Sequence, residues 1–209
     1  MIVDDHVFVR QGMAQLLDGE NDLKVVAEAG RAEQALAALA GGDIDLAIVD
    51  LSLEGATGLD LIRRIKALYP SLPVLVVSMH DETVYAERAL RAGASGYLMK
   101  HEATERVLHA IRRLLAGGTH ISDRMQAMML RRMVGKRETA DLRIEAILSD
   151  RELEVLRFIG SGLKTTEIAS QLRRSVKTVE AHRANLKQKL GLRNAAELAR
   201  YAARWAERE

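Results

Sequence analysis

Cysteine is absent from the 209-residue chain, which excludes a disulfide framework and a thiolate metal site and leaves nothing that requires an oxidising compartment. Long apolar runs are missing too: none reaches the ~18 residues of a membrane-spanning helix. The N-terminal MIVDDH has neither the basic nor the apolar stretch of a secretory signal. These absences predict a soluble, cytoplasmic protein with no membrane partner. There is no internal repeat or low-complexity tract, and the length suits two ordinary domains or one large one.

The formal net charge of +2 conceals an uneven distribution. Residues 1–118 hold 12 Lys and Arg against 17 Asp and Glu, whereas residues 148–209 hold 13 against 8. A basic terminal segment on an otherwise acidic chain suits a polyanionic partner for that segment, nucleic acid among them.

Between residues 1 and 118 short β-branched apolar runs alternate with helical stretches, the pattern of βαβ units around a parallel sheet. The runs are Ile2-Val3, Leu23 to Ala27, Leu46 to Val49, Val74 to Val77 and Tyr97 to Met99. Between them, Leu59, Ile62, Ile65 and Leu68, or Val107, Leu108, Ile111 and Leu115, recur at helical spacing. The spacing predicts an α/β, doubly wound (βα)5 parallel-sheet domain over 1–118. Residues 119–147 read as a partly helical linker, with a Met-rich helix from Met125 to Val134 and then a charged stretch. Residues 148–209 contain nothing strand-like and divide into four short helices. Their start signals are a capping box at Ser149 and Glu152, N-caps at Thr165 and Ser175, and an Asn-led box at Asn194 and Glu197. Gly160-Ser161-Gly162 separates the first helix from the second.

In a doubly wound sheet the ends of the first and third strands meet at the crevice where ligands bind. Asp4, Asp5 and Asp50 stand at those ends. Three carboxylates converging there repel one another unless a cation or shared protons offset them, and hard oxygen ligands with room for water favour Mg2+. An aspartate beside Mg2+ can attack a phosphoryl group, because the metal offsets the charge on the transferred oxygens. Ser78 ends the fourth strand and offers a hydroxyl donor; Lys100, just past the fifth, offers a compensating charge. Alone, such a serine is a turn former and such a lysine a solvated charge. It is the joint arrangement that points to chemistry.

Essentially all of residues 1–118 resemble the receiver family of response regulators, on the pieces IVDDH, DLSLEGATG, VVSMH and GASGYLMK. The resemblance implies that Asp50 is the phosphoacceptor, Asp5 a direct metal ligand, Asp4 a helper through water and Ser52 a backbone-carbonyl ligand. It makes Ser78, Tyr97 and Lys100 the switch set, and implies the strand order 2-1-3-4-5. It further implies that phosphorylation draws the Ser78 hydroxyl toward the phosphoryl group and lets Tyr97 turn inward, a population shift between two packings. Two positions depart from the pattern. Glu54 stands where the family usually has proline, adding a negative charge near the pocket. Only Met1, Ile2 and Val3 precede Asp4, about half the usual ~5–6 residues of a strand, which points to a start upstream.

Residues 148–205 resemble the LuxR-type output domain of the NarL/FixJ class of response regulators. The specific pieces are Glu167-Ile168-Ala169, Lys177-Thr178-Val179, His182, Lys189-Leu190 and Gly191. Ala169 is small where two helices of a helix-turn-helix approach closely, and Ser175 starts the reading helix. At 100° per residue Val179, Leu186 and Leu190 form one stripe, with Arg183 beside it, and face the core. Lys177, Ala181, Ala184 and Gln188 fall opposite, with Glu180 on the shoulder. That face suits a DNA groove, with Lys177 on a guanine edge and Glu180 accepting from a cytosine amino group. Thr178, His182, Lys187 and Lys189 flank it and suit phosphate contacts. In the family the last helix pairs two output domains, which assigns Leu198, Tyr201 and Ala202 to a dimer contact.

Together these readings predict a transcription factor that is not an enzyme beyond transfer to and hydrolysis from its own aspartate. A sensor histidine kinase supplies the phosphoryl group, and the phosphorylated homodimer binds double-stranded DNA at an inverted repeat. An aspartyl-phosphate phosphatase would need a second aspartate two residues after Asp50, where Ser52 stands. A DNA-binding module whose receiver no longer accepts phosphate is the remaining alternative.

Overall fold

Residues 1–53, 57–102, 104–133, 147–172 and 174–206 are described in the computed structural model of the chain. Two compact units result, Met1–Val134 and Gly135–Glu209. Among the described residues no helix is long and apolar enough to cross a membrane. Glu54 lies outside the described residues, as do 134–146 of the expected linker.

In the first unit β1 (Ile2–Val3), β2 (Glu28–Ala29), β3 (Ala47–Val49), β4 (Val74–Ser78) and β5 (Gly96–Met99) form one parallel sheet, in the order β2-β1-β3-β4-β5. The crossovers are α1 (Val7–Asp18), α2 (Ala32–Ala40), α3 (Gly58–Leu68) and α4 (Glu82–Ala92), and α5 (Thr104–Leu115) follows β5. All five residues of β4 are buried, as expected of a strand covered on both faces. Ile2, Ile48, Leu75, Val77 and Leu98 share one core with Leu17 of α1 and Val107, Ile111 and Leu114 of α5. Each such side chain is worth roughly 1.5–3 kcal/mol of burial.

Three expectations shift. The second strand lies at Glu28–Ala29 rather than Leu23–Ala27, because β1 offers two paired positions and the register falls at Ile2 to Glu28 and Val3 to Ala29. The alternation that suggested the earlier span is present, with Leu23, Val25 and Ala27 half-buried and Lys24, Val26 and Glu28 exposed, but it precedes the ladder. Leu68 and Leu115 overrun their stripes and are exposed, while Leu61 and Leu114 are buried. Finally, residues 119–133 belong to the first unit. His120 bridges to Gly96 beside β5, its carbonyl accepting from Tyr97 N at 2.8 Å and its own N–H donating to Ser95 O at 3.1 Å. There follows α6 (Asp123–Met133), which packs against α4 and buries Met125 completely.

The second unit contains α7 (Asp150–Gly160), α8 (Thr165–Gln171), α9 (Val176–Lys189) and α10 (Ala195–Ala206). The Ser149–Glu152 capping box is formed. Ser175 caps α9 by accepting from Thr178 N. At α8 the N-cap is Lys164, not Thr165, and Glu167 accepts from the Lys164 N–H at 2.6 Å. At α10 the Asn194 side chain accepts from Glu197 N, but Glu197 reaches back to the Arg193 N–H instead of that of Asn194. The core is built on α7, which packs against the other three helices. Gly160 makes one close approach possible, since a Cβ there would stand 2.6 Å from Ala202 O and 2.8 Å from Ala206 Cβ.

Candidate functional site

Pairing of β1 with β3 brings the acidic residues together. Val3 faces Val49 across the ladder, so the next residues, Asp4 and Asp50, emerge side by side, with Asp50 N donating to Val3 O at 2.9 Å. Both are 3 % exposed, and Asp5 is half-buried. Behind Asp50 the start of α3 is tied to the end of β3. Gly58 N donates to Leu51 O at 2.9 Å, Thr57 caps the helix by accepting from Asp60 N, and Ser52 bridges to Thr57. A Cβ at Gly58 would overlap the Asp50 carbonyl oxygen and come within 2.6 Å of Leu51 Cα.

Lys100 crosses from the end of β5 into the same pocket. Its ammonium lies 2.7 Å from Asp4 Oδ2 and 2.7 Å from Asp50 Oδ2. The second oxygen of Asp50, Oδ1, is buried with no hydrogen-bond partner among the described residues. Burial pushes the Asp50 carboxyl above its ordinary range and Asp4 adds to the effect, with Lys100 and the Ser78 hydroxyl pulling the other way. Burial by itself draws Lys100 down, but its pairs with Asp50 and Asp4 outweigh that and raise it. Both groups hold their protons tightly, Asp50 because burial penalises its charge and Lys100 because two carboxylates face it.

The other residues of the expected switch set are buried. Ser78 is fully buried at the end of β4. Tyr97 is already turned inward, 2 % exposed, and its hydroxyl donates to His80 O at 2.7 Å. Burial pushes its phenol well above the ordinary range. Ser52 Oγ lies 2.9 Å from His80 Nε2, and the His80 ring stacks on Tyr85 with centroids 4.5 Å apart. Nδ1 of His6 is 2.8 Å from Asp5 Oδ1 and 3.3 Å from Asp4 Oδ1. Gly58, His6 and His80 were not singled out from the sequence. His6 directly follows the acidic pair and His80 stands two residues after Ser78, so chain proximity was the available signal. The need for glycine at 58 is a tertiary contact with no local signature.

In the second unit α8 and α9 form the helix pair of a helix-turn-helix. Ala169 is buried, and its carbonyl accepts from Arg174 N across the turn. Val179 and Leu186 are fully buried, whereas Lys177, Glu180, Ala181, Ala184 and Gln188 are exposed together on the opposite side of α9. Thr178, His182 and Lys187 are half-buried at its flanks. Lys189 is exposed and donates at 2.7 Å to the buried carboxylate of Glu152. One assignment needs correction. Leu198 and Ala202 are completely buried in the unit's own core and have no surface to offer a dimer partner. Tyr201 is half-buried.

A parallel doubly wound sheet with carboxylates and a lysine at its switch point, on one chain with a helix-turn-helix unit, defines a receiver-type unit joined to a DNA-binding output. Comparison with known proteins agrees. Residues 1–112 match the response regulator receiver domain, and residues 146–202 match the bacterial regulatory proteins of the luxR family. The chain is 36 % identical over 199 residues to the transcriptional regulatory protein UhpA of Escherichia coli strain K12, covering 95 % of this chain and 94 % of that protein. It is 36 % identical over 206 residues to the oxygen regulatory protein NreC of Staphylococcus aureus, covering 97 % and 95 %. It also resembles a solved structure of RcsB from Salmonella enterica serovar Typhimurium bound to promoter rprA in the presence of phosphomimetic BeF3-. There the TM-score is 0.63 at 28 % identity, with 97 % of this chain and 96 % of that one covered. The protein belongs to the two-component response regulators of the NarL/FixJ class and is a transcription regulator with a LuxR-type helix-turn-helix.

Proposed function

We propose that Asp50 accepts a phosphoryl group from a sensor histidine kinase in the cytoplasm and that this modification controls binding of the output unit to DNA. The observation that carries the reading is the Asp50 carboxylate itself. One oxygen is held by Lys100, and the other is buried and unpartnered among the described residues, at a convergence of carboxylates that fits a divalent cation. Asp5, Asp50 and the Ser52 carbonyl would hold Mg2+, with Asp4 assisting through water. The ion supplies charge neutralisation for the transferred oxygens. Asp50 is the nucleophile, Lys100 is placed to hold a phosphoryl oxygen, and the Ser78 hydroxyl to donate to another. Tyr97 reports the change to the face around α4 and β5.

On the output side Lys177 and Glu180 read base edges. Ala181 and Ala184 keep the helix slim enough to enter the major groove, and Thr178, His182 and Lys187 contact phosphates. The RcsB complex with a promoter supports a DNA partner for this architecture. Two-fold pairing of phosphorylated chains would set two reading helices on an inverted repeat. Incubation with a small-molecule phosphodonor and Mg2+, followed by a phosphate-affinity gel, tests the central step. A shifted band lost in Asp50→Ala, together with a donor-dependent change in DNA binding, is expected. Wild-type protein that never shifts would reject the reading in favour of a receiver that does not accept phosphate.

A further inference from the structure

The pocket contains a donor that the proposed phosphoryl chemistry leaves unused. The backbone N–H of His6 donates to Asp4 Oδ1 at 2.9 Å, which folds the residue back over the acidic pair and brings Nδ1 to both neighbouring carboxylates. One ligand atom from each of Asp4, Asp5, His6 and Asp50 lies within 4.8 Å of the others. The cluster is more than an acidic patch, because Asp50 is 3 % exposed and its buried Oδ1 has no hydrogen-bond partner among the described residues. The His6 side chain is 64 % exposed, so the imidazole stands at the solvent mouth of the pocket and can reorient there without disturbing the core.

We propose that His6 is an additional, nitrogen donor to this site, so that manganese-class divalent ions bind with imidazole coordination while Mg2+ binds through oxygen alone. The physical reason is ligand preference. Mg2+ is hard, holds its waters and is served by carboxylates, whereas the first-row transition ions also take nitrogen donors, with affinity rising along the series from Mn2+, its weakest member, to Cu2+. The inference rests on the reading of Asp4, Asp5 and Asp50 as a divalent-cation site.

The full chain loaded with Mn2+ at pH 7.5–8 tests it by pulsed electron paramagnetic resonance. Modulation from a directly bound imidazole nitrogen is expected in the wild type and absent in His6→Ala and His6→Phe. Counting free Mn2+ in the same samples should show affinity weakened at least about tenfold by either substitution, while calorimetric titration with Mg2+ changes less than about twofold. Mn2+ that binds without imidazole modulation, or modulation that survives His6→Ala, overturns the inference and leaves the cation site standing. If neither ion binds the wild type, the cation-site reading fails and the inference falls with it.

Discussion

Gly58 and Gly12 are both helical glycines, yet alanine should act in opposite directions at the two positions. At Gly58 a new Cβ overlaps the Asp50 carbonyl oxygen and meets Leu51 Cα at 2.6 Å. These are backbone atoms tied into the β3 ladder, so neither can rotate away as a side-chain end would. Overpacking costs about 1–3 kcal/mol, and rigid partners place this case near the top. Replacing glycine in a helix returns up to about 1 kcal/mol, leaving a net loss of about 2 kcal/mol. For a unit of this size that lowers the melting midpoint by roughly 6–10 °C. At Gly12, within α1, an added Cβ would meet nothing within 4 Å, so Gly12→Ala should stabilise by about 0.5–1 kcal/mol. Scanning calorimetry can separate the units, because the single tryptophan, Trp205, is buried in the second one and its fluorescence identifies that transition. Gly58→Ala should also weaken divalent-cation binding, since relief of the clash moves the Asp50 peptide. A Gly58→Ala protein that melts within a degree of wild type and binds cations unchanged would refute the reasoning.

Asp50→Asn should stabilise the first unit at neutral pH. A raised carboxyl binds its proton more tightly in the folded state, so stability falls as pH climbs from the ordinary aspartate range through the folded value and stays reduced above it. Asparagine removes that loss, and the midpoint difference from wild type should shrink in acid. Glu152→Gln should cost the second unit about 1.5–3 kcal/mol, followed by Trp205 fluorescence in denaturant. Burial pushes Glu152 up, but Lys189 and the Ser149 donors outweigh burial and depress it. Its contribution is therefore complete above the ordinary glutamate range and is lost as pH falls through the folded value. A wild-type midpoint that is flat through that acidic window while Glu152→Gln is unchanged at pH 7 would contradict the pairing. In binding-site selection, Glu180→Ala should relax one base position, worth about 1–3 kcal/mol of discrimination, whereas Lys187→Ala should weaken all sequences alike and reduce the salt dependence.

Much of this molecule could be read from the chain because strand register converts distant sequence into neighbouring space. Asp4 and Asp50 are remote in sequence, but each directly follows an apolar run, and parallel pairing of those runs leaves them side by side. The same logic placed Ser78 and Lys100 at the ends of β4 and β5. Local signals were equally legible where one turn settles them, as with the Ser149 capping box. What escaped depends on partners elsewhere in the chain. His120 looked like linker because its hydrogen bonds go to Ser95 and Tyr97, and Met125 because its burial needs α4. Leu198 and Ala202 looked surplus to a small core until α7 supplied Gly160, whose missing side chain lets α10 come close. The ion pair of Lys189 escaped because Glu152, its partner, lies 37 residues away.

On the proposed reading, charge balance explains why one carboxylate can serve as a switch. Asp4, Asp5 and Asp50 set against Lys100 leave two formal negative charges in a largely buried space, where burial already disfavours the ionised form of Asp50. A divalent cation would offset it. Phosphorylation would then exchange the charge of Asp50 for the nearly doubled charge of a phosphoryl group, and Lys100, now shared between Asp4 and Asp50, would be drawn toward the new oxygens. Ser78 stands on the neighbouring strand β4 with its side chain fully buried. Any movement there bears on His80, two residues on, whose carbonyl holds the Tyr97 hydroxyl. Tyr97 in turn is tied through its backbone N–H to His120, where the chain leaves α5 for α6. The last two links toward the segment that precedes the output unit, the Tyr97 hydroxyl on the His80 carbonyl and the Tyr97 N–H on the His120 carbonyl, are already formed, and Tyr97→Phe cuts the first of them.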